Sequence, residues 1–513
     1  MLWMGIDVGT GGTRALVINL KGEVVASASR PHPEISMPRP LWAEQWAGDW
    51  WSAAKAAIQA VLAELDTPSA LAGIGLTGQM HGVALLDERG EILGPSLIWC
   101  DQRTQPQVDE LNQKIGPERI LRNTANPLLT GFSAPKIRWE QQHRPAEFAR
   151  ARHFLLPKDY IRLQLTGEYA TDVADASGTG LFDVLGRRWS AEMLAALELP
   201  ESFVPRAFEG PEITGHVHAA AAAATGLRAG IPVIAGGGDQ AAGAIGSGLV
   251  EPGLASSTIG TSGVVFAVTD QPRADARGRI HTFCHSVPGQ WHVMGVTQGA
   301  GLSLRWFRDQ LGGPERQAEI AGGGDAYDHL AKLAATTPPG AQGLFFLPYL
   351  MGERAPHLDP LARGGWIGLT AAHTRAHLAR AVFEGVTYSL RDSLAIFREL
   401  GLEPTEIRLS GGGARSSFWA ALQADIFGVT CARLSHTEGA AYGAALLAMA
   451  GTGGTVSLAA AAANCLRIAG SFTPDAQRAA DYTRRHQVYR ELYPRLRETY
   501  RAIAALEAGP TGS

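Results

Sequence analysis

The chain has 513 residues, 45% hydrophobic and 18% charged, with 45 basic against 49 acidic side chains and a net charge of −4. So balanced a charge recruits neither nucleic acid nor an anionic membrane, and no apolar run reaches the ~18 residues of a membrane span without a charge or a glycine break. The length exceeds one ordinary core and sets an expectation of two domains, residues 1–246 and 247–513. Cys100, Cys284, Cys431 and Cys465 are scattered and form no C-x-x-C pair, so they read as reduced core thiols. With the N-terminus running straight into a strand, no signal peptide is expected and the protein is placed in the cytoplasm.

In chain order, Leu2 to Asp7 reads as a strand that enters the turn Gly9-Thr10-Gly11-Gly12 and returns through Arg14 to Ile18. Lys21-Gly22-Glu23 marks a second turn, and Val24 to Ser29 a third strand. Trp51, Ala54, Ile58, Val61 and Leu62 recur at helical spacing and predict a helix over 50–65. A buried strand over 74–77 runs into Gly78-Gln79-Met80-His81-Gly82, with a further strand and turn over 83–90. Gly186-Arg187-Arg188-Trp189 reads as a solvated turn, and the alanines after His218 as a short surface helix. Gly236-Gly237-Gly238-Asp239-Gln240 opens a helix over 241–248. A second hairpin follows, Thr258-Ile259-Gly260-Thr261-Ser262-Gly263, then a strand over 291–296. Ile407 to Ser410 is a strand leading through Gly411-Gly412-Gly413 to a helix over 416–427. The small residues of 439–445 predict a helix packed closely on a neighbour, and a polar helix over 475–505, kinked at Pro494, closes the chain. Antiparallel hairpins joined to helices and further strands make a mixed α/β class.

The glycine hairpin that occurs twice, half a chain apart, carries the chemical argument. Glycines let the backbone turn tightly and approach a ligand closely, and successive N–H groups in such turns make an anion nest. Two facing copies would hold the phosphates of one nucleotide. Only the first copy carries a carboxylate, Asp7, which places a Mg²⁺ beside it, held partly through water. Arg14 on the return strand either reaches a phosphate or faces solvent. Asp239, between glycines and a helix, is the candidate base for a substrate hydroxyl, kept ionised by the helix N–H groups; an N-cap role is the alternative. Met80 and His81 sit where a strand ends, as ligand-lining groups do in α/β sheets, though His81 taken alone reads better as a packed core histidine. The glycines at 411–413 leave room for an adenine or ribose. The set His281, Cys284, His285 lacks a further ligand and reads as structural. No G-x-x-x-x-G-K-[ST] and no H-R-D with D-F-G occurs.

Seven separated stretches carry a resemblance to a known family. They are Gly5-Ile6-Asp7-Val8-Gly9-Thr10, Gly78-Gln79-Met80-His81-Gly82, Trp99-Cys100-Asp101-Gln102-Arg103 and Leu156-Pro157-Lys158-Asp159-Tyr160. The others are Gly236-Gly237-Gly238-Asp239-Gln240, Gly352-Glu353-Arg354-Ala355-Pro356-His357 and Ser410-Gly411-Gly412-Gly413-Ala414-Arg415. In this order they resemble the FGGY carbohydrate kinases over nearly the whole chain. The resemblance implies two actin-like, ribonuclease H-like domains around a cleft, with ATP and Mg²⁺ as cofactors. It implies Asp239 as the base, and Met80, His81, Asp239 and Gln240 as sugar contacts. Asp7 matches the Mg²⁺ position. Thr10, Gly11, Arg14, Gly260 and Thr261 match the phosphate-binding positions, and Gly412, Gly413 and Ser416 the adenosine site. The Gly78–Gly82 stretch points to members that phosphorylate D-xylulose rather than glycerol or gluconate. The family also implies a homodimer. Kinases of ribulose, fuculose or glycerol, and an actin-like ATPase switch, are the alternatives.

Overall fold

A computed structural model describes residues 1–435 and 438–507. The first sheet is built from β1 (Leu2–Val8), β2 (Gly12–Asn19), β3 (Val24–Pro31), β4 (Leu71–Gly78), β5 (Ile213–His216), β6 (Pro232–Ile234) and β7 (Gly237–Gly238). Its order is β5-β6-β4-β1-β2-β3, with β7 also on the β4 edge. Helices α1 (Ala47–Ala63), α2 (Pro157–Thr166) and α3 (Asp239–Gly246) belong to this half. The apolar spacing that predicts α1 buries Ala54, Ile58 and Val61 in one core with Met4, Ile6 and Leu76.

The second sheet is β8 (Leu254–Ile259), β9 (Gly263–Thr269), β10 (His281–Cys284), β11 (Trp291–Thr297), β12 (Glu406–Gly411), β13 (Thr430–Leu434) and β14 (Ile468–Phe472), in the order β10-β11-β9-β8-β12-β13-β14. Around it stand α4 (Ala300–Leu311), α5 (Arg375–Glu399), α6 (Ser417–Phe427), α7 (Gly439–Gly451) and α8 (Ala476–Glu507). The two sheets repeat one plan. An antiparallel hairpin (β1-β2, β8-β9) is extended by a third antiparallel strand on one side. On the other side lie parallel strands (β4 and β6, β12 and β13), capped by an antiparallel edge strand.

Helix α7 comes late in the chain yet packs on β1, β4 and α3 of the first half. Its small residues are the reason. A side chain at Gly5 or Gly75 would collide with the carbonyls of Ala441 and Ala444, and one at Gly443 with the carbonyl of Ala242. Trp3, Leu16 and Ile234 therefore share a core with Ala441, Leu446 and Leu447. The expected close packing of 439–445 is thus met, across the two halves of the sequence.

Two local expectations need correction. Arg187 is not a solvated turn residue: its guanidinium pairs with Glu209 at 2.7 Å and lies over Trp291, two residues further along the chain that fold onto it. The last helix is not polar all round; it buries Tyr482, His486, Tyr489, Tyr493 and Tyr500 on one face, and it is continuous across Pro494. Cys284 and Cys431 are buried thiols, and Cys100 and Cys465 are half-buried, all four free. Among the described residues no helix is long and apolar enough to cross a membrane.

Candidate active site

Parallel pairing fixes which residues meet at the strand ends. Asp7 of β1, Thr77 of β4 and Gly237 of β7 lie in one row, and Val8, Gly78 and Gly238 in the next. The chain leaves all three strands on the same side, which brings together Asp7, the Gln79-Met80-His81 turn and Asp239. Between β6 and β7 the chain must pass close to β4. Gly236 has φ +80°, and a side chain there would strike the Leu76 carbonyl, so only glycine fits.

The two carboxylates are electrostatically awkward. Asp7 Oδ1 is buried with no hydrogen-bond partner among the described residues, and burial pushes its pKa up to about 6 against the lowering pull of Arg14. Asp239 rises to about 7, first through burial and then through the charge of Asp7, opposed by hydrogen bonds from Gln240. The Gln240 amide donates to Asp239 Oδ1 at 3.4 Å. The expectation that helix N–H groups keep Asp239 ionised is therefore corrected, because desolvation and Asp7 outweigh them. Asp239 is also not the cap: the N-cap of α3 is Gly238, with no side-chain capping bond. An unpartnered buried carboxylate oxygen beside a second carboxylate is the donor chemistry that Mg²⁺ takes while keeping water ligands. Among the described residues no group of three or more His, Cys, Asp or Glu is arranged to hold a metal, so protein ligands at such an ion would be few. His281 and His285 are instead spent on Asn126 and on the Leu249 carbonyl, in keeping with their structural reading.

Each hairpin turn is closed by a backbone bond, Gly9 N to Gly12 O in the first and Gly260 N to Ser262 O, one residue tighter, in the second, each 3.0 Å. The first is held from below. Gln45 donates to the Thr10 carbonyl at 2.7 Å, Gln79 donates to Gln45 at 2.8 Å, and Trp99 Nε1 donates to Thr10 Oγ1 at 2.9 Å. The second is held by α4, where Gly301 N and Leu302 N donate to the carbonyls of Gly260 and Thr261. Gly11, Gly260 and Thr261 remain exposed. The Arg14 guanidinium pairs with Glu438 at 2.6 Å and donates to Ser27 at 3.1 Å.

In the second half, β8 and β12 end side by side, with the Thr258 and Ser410 hydroxyls 2.6 Å apart. Their turns open on a cavity of about 550 Å³ lined by Gly260, Thr261, Gly412, Gly413 and Ser416, together with Arg305. The structure thus collects all five expected residues of this half in one place. Ser416 also caps α6, accepting from Trp419 N at 3.3 Å.

A second cavity, about 230 Å³, begins at His81 and draws its walls from both halves of the chain. His81 has φ +68° and is clamped from three sides. Its Nδ1–H donates to the Gly178 carbonyl at 2.5 Å, its own carbonyl accepts from Lys136 Nζ at 3.0 Å, and its ring stacks on Phe132 at 4.8 Å. Burial pushes its pKa down to about 3, so the imidazole is neutral. It is both packed and pocket-lining. Met80 is buried behind it, and its side chain occupies the space a Cβ on Gly238 would need. Trp99, Gln102, Phe132, His281 and Arg354 also line this cavity. Apart from His281, read as structural, the sequence assigns these residues no role, although Trp99, Gln102 and Arg354 stand inside two of the recognised motifs.

Two sheets of one plan, each opening on a glycine hairpin, with paired carboxylates at the strand ends and two separate cavities, fit the actin-like, ribonuclease H-like class. The family models for the N-terminal and C-terminal domains of the FGGY carbohydrate kinases match residues 2–246 and 255–452. The chain belongs to the FGGY family of carbohydrate kinases, as its motifs led one to expect. It is 40% identical to the xylulose kinase of Escherichia coli (strain K12), over 96% of this chain and 99% of that protein. It is 36% identical to the xylulose kinase of Bacillus subtilis (strain 168), over 98% of both. The crystal structure of xylulose kinase from Rhodospirillum rubrum superimposes with a TM-score of 0.91 at 33% identity, covering 98% of this chain and 100% of that one. The protein is a sugar kinase that takes a sugar and ATP as substrates.

Proposed function

We propose that the protein transfers the γ-phosphoryl group of ATP to the terminal hydroxyl of D-xylulose in the cytoplasm, giving D-xylulose 5-phosphate and ADP. The observation that carries the chemistry is the pairing of strand ends that sets Asp239 beside Asp7. The relatives named xylulose kinase support the choice of sugar, since they align over almost the whole chain.

In this reading Asp239 accepts the proton of the sugar hydroxyl. The hydroxyl oxygen forms its bond to the γ-phosphorus as the bond from that phosphorus to the β–γ bridging oxygen breaks, and ADP leaves. A base whose pKa stands near 7 matches the working pH, which is where a general base is most effective. Asp7, with its unpartnered oxygen, would hold Mg²⁺, which would neutralise charge on the phosphates. The exposed turns at Thr10-Gly11 and Gly260-Thr261 face the phosphates with backbone N–H groups. Gly412, Gly413 and Ser416 border the adenosine. Met80, His81 and Gln240 orient the sugar, His81 offering its free Nε2 to a hydroxyl. Arg14 acts on this site through its charge on Asp7 rather than through the phosphate. The two halves, residues 1–246 and 247–513, close on the substrates and exclude water, so that ATP is not hydrolysed instead.

The test is ADP release from Mg-ATP against D-xylulose, D-ribulose, L-ribulose, L-fuculose, glycerol and gluconate. Release with D-xylulose far above the others, lost in Asp239→Ala while nucleotide still binds, is expected. Equal release without any sugar would refute the reading.

A further inference from the structure

The His81 cavity contains a cation that no other group among the described residues pairs with. Arg354 lines it and is half-buried, and its guanidinium has no hydrogen bond or ion pair among the described residues. The neighbouring carboxylates are spent elsewhere. Arg279, on the same wall, is held by Asp275 and Glu399. The carboxylate of Glu353, next in sequence, is turned to the backbone N–H groups of Gln298 and Arg354 and to the Ser389 hydroxyl. Opposite Arg354 stand His81 and Gln102, on the wall contributed by the first half. A half-buried guanidinium with no acceptor is costly unless a ligand supplies one.

Which end of the substrate supplies it follows from the placement of Asp239. The reacting hydroxyl must lie at that carboxylate, which does not line the cavity, whereas His81, next to the Met80 that packs on Gly238, does. The end of the sugar remote from the reacting hydroxyl therefore enters the cavity. In a 2-ketose that end is the C1 hydroxyl and the C2 carbonyl.

We propose that Arg354 is a specificity-determining residue whose guanidinium donates to the keto end of the sugar and so selects a 2-ketose over the corresponding polyol. The inference rests on the ketose-kinase reading above. A guanidinium has donors only, and a carbonyl oxygen is an acceptor only, so the two match. A polyol places a hydroxyl there, whose hydrogen must find a separate acceptor. Arg354 also comes from the opposite wall to His81, so the keto end would be gripped by both halves at once.

The experiment compares wild type, Arg354→Met and Arg354→Lys with D-xylulose and the two polyols made by reducing its carbonyl, xylitol and D-arabinitol. Turnover is measured for the ketose, and competitive inhibition constants for the polyols. A charge-assisted hydrogen bond corresponds to roughly 10- to 100-fold in the ketose kcat/KM. Arg354→Met should lose that factor, keep polyol inhibition within about threefold, and leave the KM for ATP unchanged; Arg354→Lys should recover part of the loss. Equal losses for ketose and polyols, or no loss for the ketose, would overturn the inference. Wild type failing to turn over any ketose would instead bring down the proposed function, so the two failures are distinct.

Discussion

Replacing Asp239 by Asn should abolish turnover and yet make the metal-free, nucleotide-free protein more stable above neutral pH. The pKa of Asp239 stands at about 7 in the folded chain against an ordinary 3.8, because burial and Asp7 both disfavour its charge. An acid whose folded pKa is raised binds its proton more tightly when folded. Its favourable contribution is full below the unfolded pKa and is lost as pH rises through the folded value. The window is therefore pH 4 to 7, and a shift of about three pH units corresponds to about 4 kcal/mol lost across it. Asp7, raised to about 6 by burial, adds a loss in the same direction. Part of the Asp239 shift is the repulsion between the two, so about 4 kcal/mol is the scale of the Asp239→Asn effect rather than the sum of both. At about 2 °C per kcal/mol for a unit of this size, the variant should melt about 8 °C above wild type at pH 8, with EDTA present. At pH 4 the two should melt together. Mg²⁺ should raise the melting point of wild type at pH 8 and do much less for the variant. Thermal unfolding at four pH values decides the matter. A variant that melts below wild type at pH 8, or a difference between the two that does not grow from pH 4 to pH 8, would refute the assignment of a strained carboxylate pair.

Two further outcomes follow from the clamps on the site. Lys136→Met removes the donor to the carbonyls of His81 and Gly131, leaving buried acceptors short at a cost of about 1–3 kcal/mol; the KM for sugar should rise while the KM for ATP stays level, as steady-state kinetics with each substrate varied will show. Ser416→Ala removes the cap of α6 and should cost about 1 kcal/mol in denaturant unfolding, with at most a small rise in the KM for ATP.

Much of this site is legible in the sequence because its parts are backbone devices. A glycine turn after a short apolar strand announces itself, and both hairpins fall where the sequence puts them. The tight packing of α7 is equally visible in its small residues, although only the structure shows that its partners are β1, β4 and α3. What the sequence hides depends on burial and on distant pairing. Nothing in the letters around Asp239 says that desolvation would outweigh a helix N-terminus. Arg14 reads as a free cation until Glu438, far along the chain, comes to meet it. Trp99 and Arg354 stand in recognisable motifs, but their place on a cavity wall arises only once both halves are folded.

The two hairpins make the strongest case that the carboxylate pair is functional, because they are a matched comparison within one molecule. Asp7 and Thr258 stand at the same point, two residues before the turn glycine, on strands of the same pairing plan. In the second copy the side chain is fully at rest: the Thr258 hydroxyl bonds Ser410, and its cross-strand neighbour is the uncharged Val264. In the first copy the same position carries a carboxylate with a buried oxygen that has no partner among the described residues, opposite Arg14, whose guanidinium pairs with Glu438. The fold does not require that strain, since the second copy forms without it. A hydroxyl serves the structure at Thr258, and that contrast supports the proposal that the carboxylate of Asp7 serves a ligand bringing positive charge to the strand ends.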